Sequence, residues 1–140
     1  MFHWVELRTF CHATEERERV EQALRFAGGG EIQATAVEGH HGNPILLLGS
    51  RLDTAKEMAT FWEHAAVREN AAVWLETLEE RMDDDATFHA RLDKQAAYQE
   101  RIVLATGTDV IDVTARVRVY PAKREKALAV LRQELERRCT

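Results

Sequence analysis

Val110-Ile-Asp-Val-Thr-Ala-Arg-Val-Arg-Val-Tyr120 decides the fold. Val113, Ala115, Val117 and Val119 alternate with Thr114, Arg116, Arg118 and Tyr120, the period of two that a half-buried strand imposes. One face of this strand is apolar, and the other carries two guanidinium groups and a phenol. Beyond it, Pro121 suits the first turn of a helix, and Ala127, Leu128, Leu131 and Leu135 form an amphipathic stripe to the end of the chain.

The same alternation recurs upstream. From Phe2 to Ala13, His3, Val5, Leu7, Thr9 and Cys11 take one side, and Phe2, Trp4, Glu6, Arg8 and Phe10 the other. Glu31 to Glu38 alternates through Ile32, Ala34 and Ala36. After Gly39-His-His-Gly-Asn-Pro44 the chain runs Ile45-Leu-Leu-Leu48 on to Arg51-Leu52, so this pair predicts a hairpin. Thr87 to Asp93 sets Phe88, Ala90 and Leu92 opposite His89, Arg91 and Asp93. Because the period is two, a one-residue shift in any strand would move its whole set to the other face.

Helical spacing fills the intervals. Thr14 ahead of Glu15-Glu16-Arg17 predicts an N-cap, with Val20, Ala23, Leu24 and Ala27 as the buried stripe and Gly28-Gly29-Gly30 as the stop. Met58, Phe61, Trp62, Ala65, Ala72, Leu75, Leu78 and Met82 predict one long bent helix, or two joined near residues 66–68, and Lys94 to Tyr98 a helix-prone turn or short helix. The order β-α-β-β-α-β-β-α with short connections predicts a single α+β domain over residues 1–140, a largely antiparallel sheet with helices packed on one face. Such a sheet leaves its other face open to a partner.

Composition narrows the class. Of 140 residues, 45% are apolar and 31% charged, a globular balance, and no stretch approaches the ~18 uninterrupted apolar residues a membrane span requires. No secretory signal opens the sequence, so the expected compartment is the cytoplasm. Two cysteines, Cys11 and Cys139, predict reduced thiols without a disulfide. The net charge of -5 is unevenly spread: Glu76 to Asp85 holds six acids against Arg81, whereas Arg116 to Arg138 holds eight basic residues against three acids. A polyanion would meet the basic end, with the acidic run on the far side.

The outward positions are repeatedly arginine or aromatic: Trp4, Arg8 and Phe10; Arg51; His89 and Arg91; Arg116, Arg118 and Tyr120. Guanidinium forks pair with phosphates and stack on bases, and aromatic rings offer a plane for an unpaired base. Such positions also serve solubility and packing. Catalytic patterns are not found. Ser50, the only serine, lacks a nucleophile-elbow frame, Cys11 falls in the apolar phase, and the three glycines at 28–30 lack the lysine and hydroxyl of a nucleotide loop. His40 and His41 are adjacent on a glycine-flanked loop, which suits approach to an RNA backbone better than a shared metal ion. No cofactor, metal or enzymatic activity is expected.

Three segments, Phe2-His-Trp-Val-Glu-Leu-Arg-Thr-Phe-Cys-His-Ala-Thr-Glu15, Glu38-Gly-His-His-Gly-Asn-Pro-Ile45 and Phe88-His-Ala-Arg-Leu-Asp-Lys-Gln-Ala-Ala-Tyr98, together resemble an archaeal family of predicted RNA-binding proteins and predicted exosome subunits. The resemblance covers nearly the whole chain. It implies a fold like that of the ribosomal protein that binds 5S rRNA, and it draws attention to Arg8, Gly39, His40, His41, Gly42, Arg91, Asp93, Lys94, Gln95 and Tyr98. The expectation is an RNA-binding accessory protein in RNA processing, degradation or ribosome-related work. Its contacts would be Arg8, Trp4, His40, His41, Arg51, Arg91, Lys94, Arg116 and Arg118, supported by the basic C-terminal helix. The alternative is a protein-interaction module, either a homo-oligomer or an adaptor to exosome or ribosome-associated proteins, with Trp4 and Phe10 as anchors.

Overall fold

The computed structural model describes residues 1–39, 44–105 and 107–140. Five strands, β1 (Phe2–Cys11), β2 (Ile32–Glu38), β3 (Pro44–Leu52), β4 (Thr87–Asp93) and β5 (Val110–Val117), form one sheet in the order β2-β3-β1-β5-β4, and every neighbouring pair is antiparallel. Six helices complete the α+β fold: α1 (Arg17–Ala27), α2 (Ala55–Ala65), α3 (Arg68–Glu76), α4 (Leu78–Arg81), α5 (Lys94–Tyr98) and α6 (Arg124–Cys139).

The inward positions of the strands meet the helices. Val5, Leu7 and Cys11 of β1, Leu48 and Leu52 of β3, Phe88, Ala90 and Leu92 of β4, and Ile111 to Val117 at alternate positions of β5 are buried. Against them lie Val20, Ala23 and Leu24 of α1, Met58, Phe61 and Trp62 of α2, Trp74 of α3 and the leucine stripe of α6. Aromatic rings bind the two layers: Trp62 stacks on Trp74 with centroids 5.7 Å apart, and Phe2 and Phe88 meet them edge-on at 5.3 and 5.6 Å, the geometries that the ring quadrupole favours. No described helix packs on the opposite face.

Local chemistry explains the element ends. Thr54 closes a reciprocal capping box with Glu57 at the start of α2. The expected long helix breaks at Ala66-Val67 and again at Thr77. The first helix starts later than its sequence suggests, at Arg17 with Glu16 before it, and the Glu15 carboxylate accepts from the His12 N–H and from Lys94 and Tyr98 of α5. Pro121 follows a cis peptide bond and precedes α6 by three residues instead of sitting in its first turn. Gly30 holds φ +82°, and the Ser50 hydroxyl beside it donates to the Gly29 carbonyl at 2.6 Å. Ser50 thus fastens the end of α1 to β3, a structural role.

One register differs from the simple alternation. A bulge between Phe2 and Trp4 turns Phe2 inward against Trp62 and puts His3 outside. The extra residue inverts the phase of everything on its N-terminal side. From Trp4 onward the predicted faces hold.

Candidate nucleic-acid interface

The outer face is laid out by the strand registers. Trp4 lies opposite Arg116, which lies opposite Thr87. The next row runs Arg51, Glu6, Thr114, His89, and the one after it Gln33, Gly49, Arg8, Asp112, Arg91. Neighbouring strands are ~4.8 Å apart, so Arg8 and Arg91, two strands apart in one row, sit about 10 Å from each other at the backbone.

These side chains are not equally free. Arg51 is held by Glu6 at 3.0 Å and Asp53 at 2.9 Å, and its guanidinium lies 5.0 Å from the Trp4 ring centroid. Arg116 donates to the Thr87 hydroxyl at 2.9 Å and also lies over Trp4, at 5.8 Å. Trp4 is therefore half-buried beneath two cations and is not a bare stacking platform. Arg91 approaches Asp112 at 3.6 Å. Arg8, in the middle of the sheet, is exposed, and no hydrogen bond or ion pair engages its side chain among the described residues. Phe10 is the exposed aromatic of this face, 47% open.

Three sequence expectations need correction or relocation, and a fourth is not reached. Lys94 is 1% exposed and cannot reach RNA: its ammonium donates to the Phe10 carbonyl at 2.8 Å and pairs with Glu15 at 2.9 Å and Asp109 at 3.0 Å. Arg118 lies past the end of β5, lining a depression with Met58, Trp62 and Arg138 of the helical layer, so it does not extend the Arg116 row. The acidic run does not lie on the far side. Asp83 accepts from the His89 ring at 2.9 Å, and Glu80 lines the same hollow as Arg8 and Arg91. His40 and His41 fall outside the described residues.

The basic C-terminal helix, α6, belongs to the helical layer, where its charges have internal partners. Arg124 donates to the carbonyls of Glu79 and Met82, Arg132 faces Glu79, and Arg137 and Arg138 bind Glu134, with Arg138 also on Glu63. Among the described residues one ion pair, Arg132 with Glu79 at 3.7 Å, joins the two charge runs of the sequence, and Arg137 and Arg138 are neutralised within the helical layer by Glu134 and Glu63.

Two hollows flank Arg8. One, about 380 Å³, is lined by Arg8, Arg81, Arg91, His89, Glu80 and Asp112, so its charged groups sum to a positive site. The other, about 430 Å³, lies over Gly49 toward β2 and is lined by Arg8, Arg51, Gln33, Glu6, Glu31 and Asp53, among others. Sequence reasoning missed Arg81, hidden in the acidic run, and Gly49, which stands in the outward phase of Leu47 and Arg51.

Carboxylates beside β1, β4 and β5 are tuned by these contacts. Burial raises the Glu15 carboxyl, but hydrogen bonds from the His12 N–H, Lys94 and Tyr98 outweigh it and hold the group below its ordinary value. Asp83 behaves alike, with burial outweighed by His89 and the N–H groups of Thr87 and Asp85, as does Asp109 with Gln95 and Lys94. A depressed carboxyl contributes stability that is complete above its unfolded value, near ~4, and is lost as pH falls through its folded value. The melting temperature is expected to drop steeply below about pH 4, and Glu15→Gln to make that drop shallower. A melting temperature constant from neutrality to the lower limit of the carboxylate range would refute this account.

Comparison with known proteins supplies the family. A family model described as RNA binding matches residues 4–117. The chain belongs to that family. RNA-binding protein PAB1135 of Pyrococcus abyssi is 34% identical over 96% of this chain and 94% of its own length. Among solved structures, protein AF2318 from Archaeoglobus fulgidus superposes with a TM-score of 0.85 at 36% identity, covering 96% of this chain and 99% of that one. Mth689, a DUF54 protein from Methanothermobacter thermautotrophicus, gives 0.84 at 33% identity over 96% and 98%. The matched span of the RNA-binding model begins at Trp4 and ends at Val117, so it includes the whole outer face and excludes α6.

Proposed function

We propose that the protein is a non-catalytic RNA-binding accessory factor, acting in RNA processing, degradation or ribosome-related assembly, that holds RNA on the outer face of its sheet. The observation that carries this reading is the uncovered face itself. Arg8 stands at its centre with no partner among the described residues, Arg81 and Arg91 add charge beside it, and the chain is a member of an RNA-binding family. Guanidinium groups on a flat face can fork onto phosphates without a preformed deep cavity. The likeness to an exosome subunit and to the 5S-rRNA-binding ribosomal protein belongs to this proposal and names the partners worth testing.

Fluorescence anisotropy with a structured and an unpaired RNA, each titrated with salt, tests it. We expect micromolar or tighter binding whose logarithm falls linearly with the logarithm of salt concentration, with a slope of roughly −0.7 to −0.9 for each phosphate neutralised. A second reading, a protein-binding face for an adaptor or another copy of the chain, is favoured by exposed Phe10 beside Leu47. It predicts little response to salt, and an absence of RNA binding at low salt would select it.

A further inference from the structure

We infer that the hollow over Gly49 is a pocket for a single unpaired nucleobase, and that the RNA backbone runs on the other side of Arg8. This rests on the reading of the outer face as RNA-binding and adds which kind of RNA it takes.

The two hollows beside Arg8 differ in charge. Toward β4, Arg8, Arg81 and Arg91 face Glu80 and Asp112, and the surplus is positive. Toward β2, Arg8 and Arg51 face three carboxylates, Glu6, Glu31 and Asp53, and the surplus is negative. Phosphate favours the first and is repelled by the second. A neutral planar group with both donors and acceptors at its edge meets no such repulsion, and a nucleobase is that group.

The shape agrees. Gly49 occupies an outward position between Gln33 on β2 and Arg8 on β1, so the row loses one side chain and the backbone becomes the floor. A glycine inside a strand is where a ligand approaches the main chain closely. Nothing in the fold demands glycine there. An added Cβ would meet only Arg8 Cγ and the Leu7 carbonyl oxygen at 3.8 Å, an ordinary contact, and φ is outside the left-handed range. Leu47 supplies an apolar wall along the strand, the Gln33 amide offers a donor and an acceptor to a base edge, and Arg8 stands between this pocket and the phosphate side. A base within a duplex cannot reach this floor, so the pocket selects RNA with an unpaired nucleotide.

The test compares a fully paired RNA hairpin with the same hairpin carrying one bulged nucleotide, using the intact protein and Gly49→Val. Valine favours strand geometry, and thermal melting verifies that the variant is folded. The wild type is expected to bind the bulged hairpin about tenfold more tightly, the scale of one good base contact. Gly49→Val should abolish that preference while leaving affinity for the paired hairpin and its salt slope unchanged, and Gln33→Ala should reduce it. A preference that survives Gly49→Val, or a wild type that binds both hairpins equally, overturns the base pocket while leaving RNA binding intact. Binding to neither hairpin overturns both.

Discussion

Arg8→Gln combined with Arg91→Gln is expected to weaken RNA binding about a hundredfold at fixed salt. A hydrogen bond to a charged group contributes about 1.5 kcal/mol or more, which is about tenfold in affinity for each arginine. The salt slope should flatten by roughly 1.5, since two phosphates are no longer neutralised. Neither residue holds the fold: Arg8 is exposed with no described partner, and Arg91 makes one surface contact with Asp112 at 3.6 Å, of a kind that contributes little. The melting temperature should therefore change by no more than a few degrees. Arg116→Gln is a useful contrast, because Arg116 is tied to Thr87 and lies over Trp4. Unchanged affinity in the double variant would remove RNA from this face.

Replacement of Lys94 by methionine is expected to have the opposite profile, with large destabilisation and little specific effect on RNA. The ammonium joins the end of β1 through the Phe10 carbonyl, the turn before α1 through Glu15, and the segment before β5 through Asp109. Removing one partner of a buried ion pair typically costs 3–5 kcal/mol. Glu15 and Asp109 retain access to water, at 20% and 48% side-chain exposure, which places the expected loss at the lower end, about 3 kcal/mol. Urea unfolding measures it, and a loss under about 1 kcal/mol would show that the cluster is not a structural anchor. Adding Glu15→Gln to Lys94→Met should recover part of the loss, because the two groups are coupled.

The contrast between these two basic residues shows what was legible in the sequence. Alternation assigned Arg8, Arg51, Arg91 and Arg116 to one face correctly, because each lies inside a strand whose apolar phase is unambiguous. Phe2 escaped it because a bulge has no signature in the alternation. Arg118 escaped it because β5 stops one residue earlier. Lys94 was misread, yet the signal was present. It continues the inward phase of Phe88, Ala90 and Leu92, and a lysine in that phase requires acidic partners. Those acids, Glu15 and Asp109, are distant in sequence, and only the tertiary fold brings them together. The same limit explains the charge runs, which touch only in the folded chain: Arg124 reaches back to the carbonyls of Glu79 and Met82, and Arg132 to the Glu79 carboxylate. The pocket over Gly49 needed the β2-β3-β1 register, which alternation alone does not supply.

The place of β1 in the sheet has a consequence for how the molecule comes into being. β1 precedes the other four strands in the chain yet is the central one, flanked by β3 and β5, and its pairing with β5 joins Phe2 to Val117. During synthesis β1 can pair with the β2-β3 hairpin early, but its other edge stays open until residue 117 has left the ribosome, ~6–23 s after Phe2 at ordinary elongation rates. Long-range strand pairing of this kind is also slow once the chain is free. The emerging chain thus spends that interval with an unsatisfied strand edge next to a half-built core, and a nascent chain that stalls before β5 offers that edge to any neighbour.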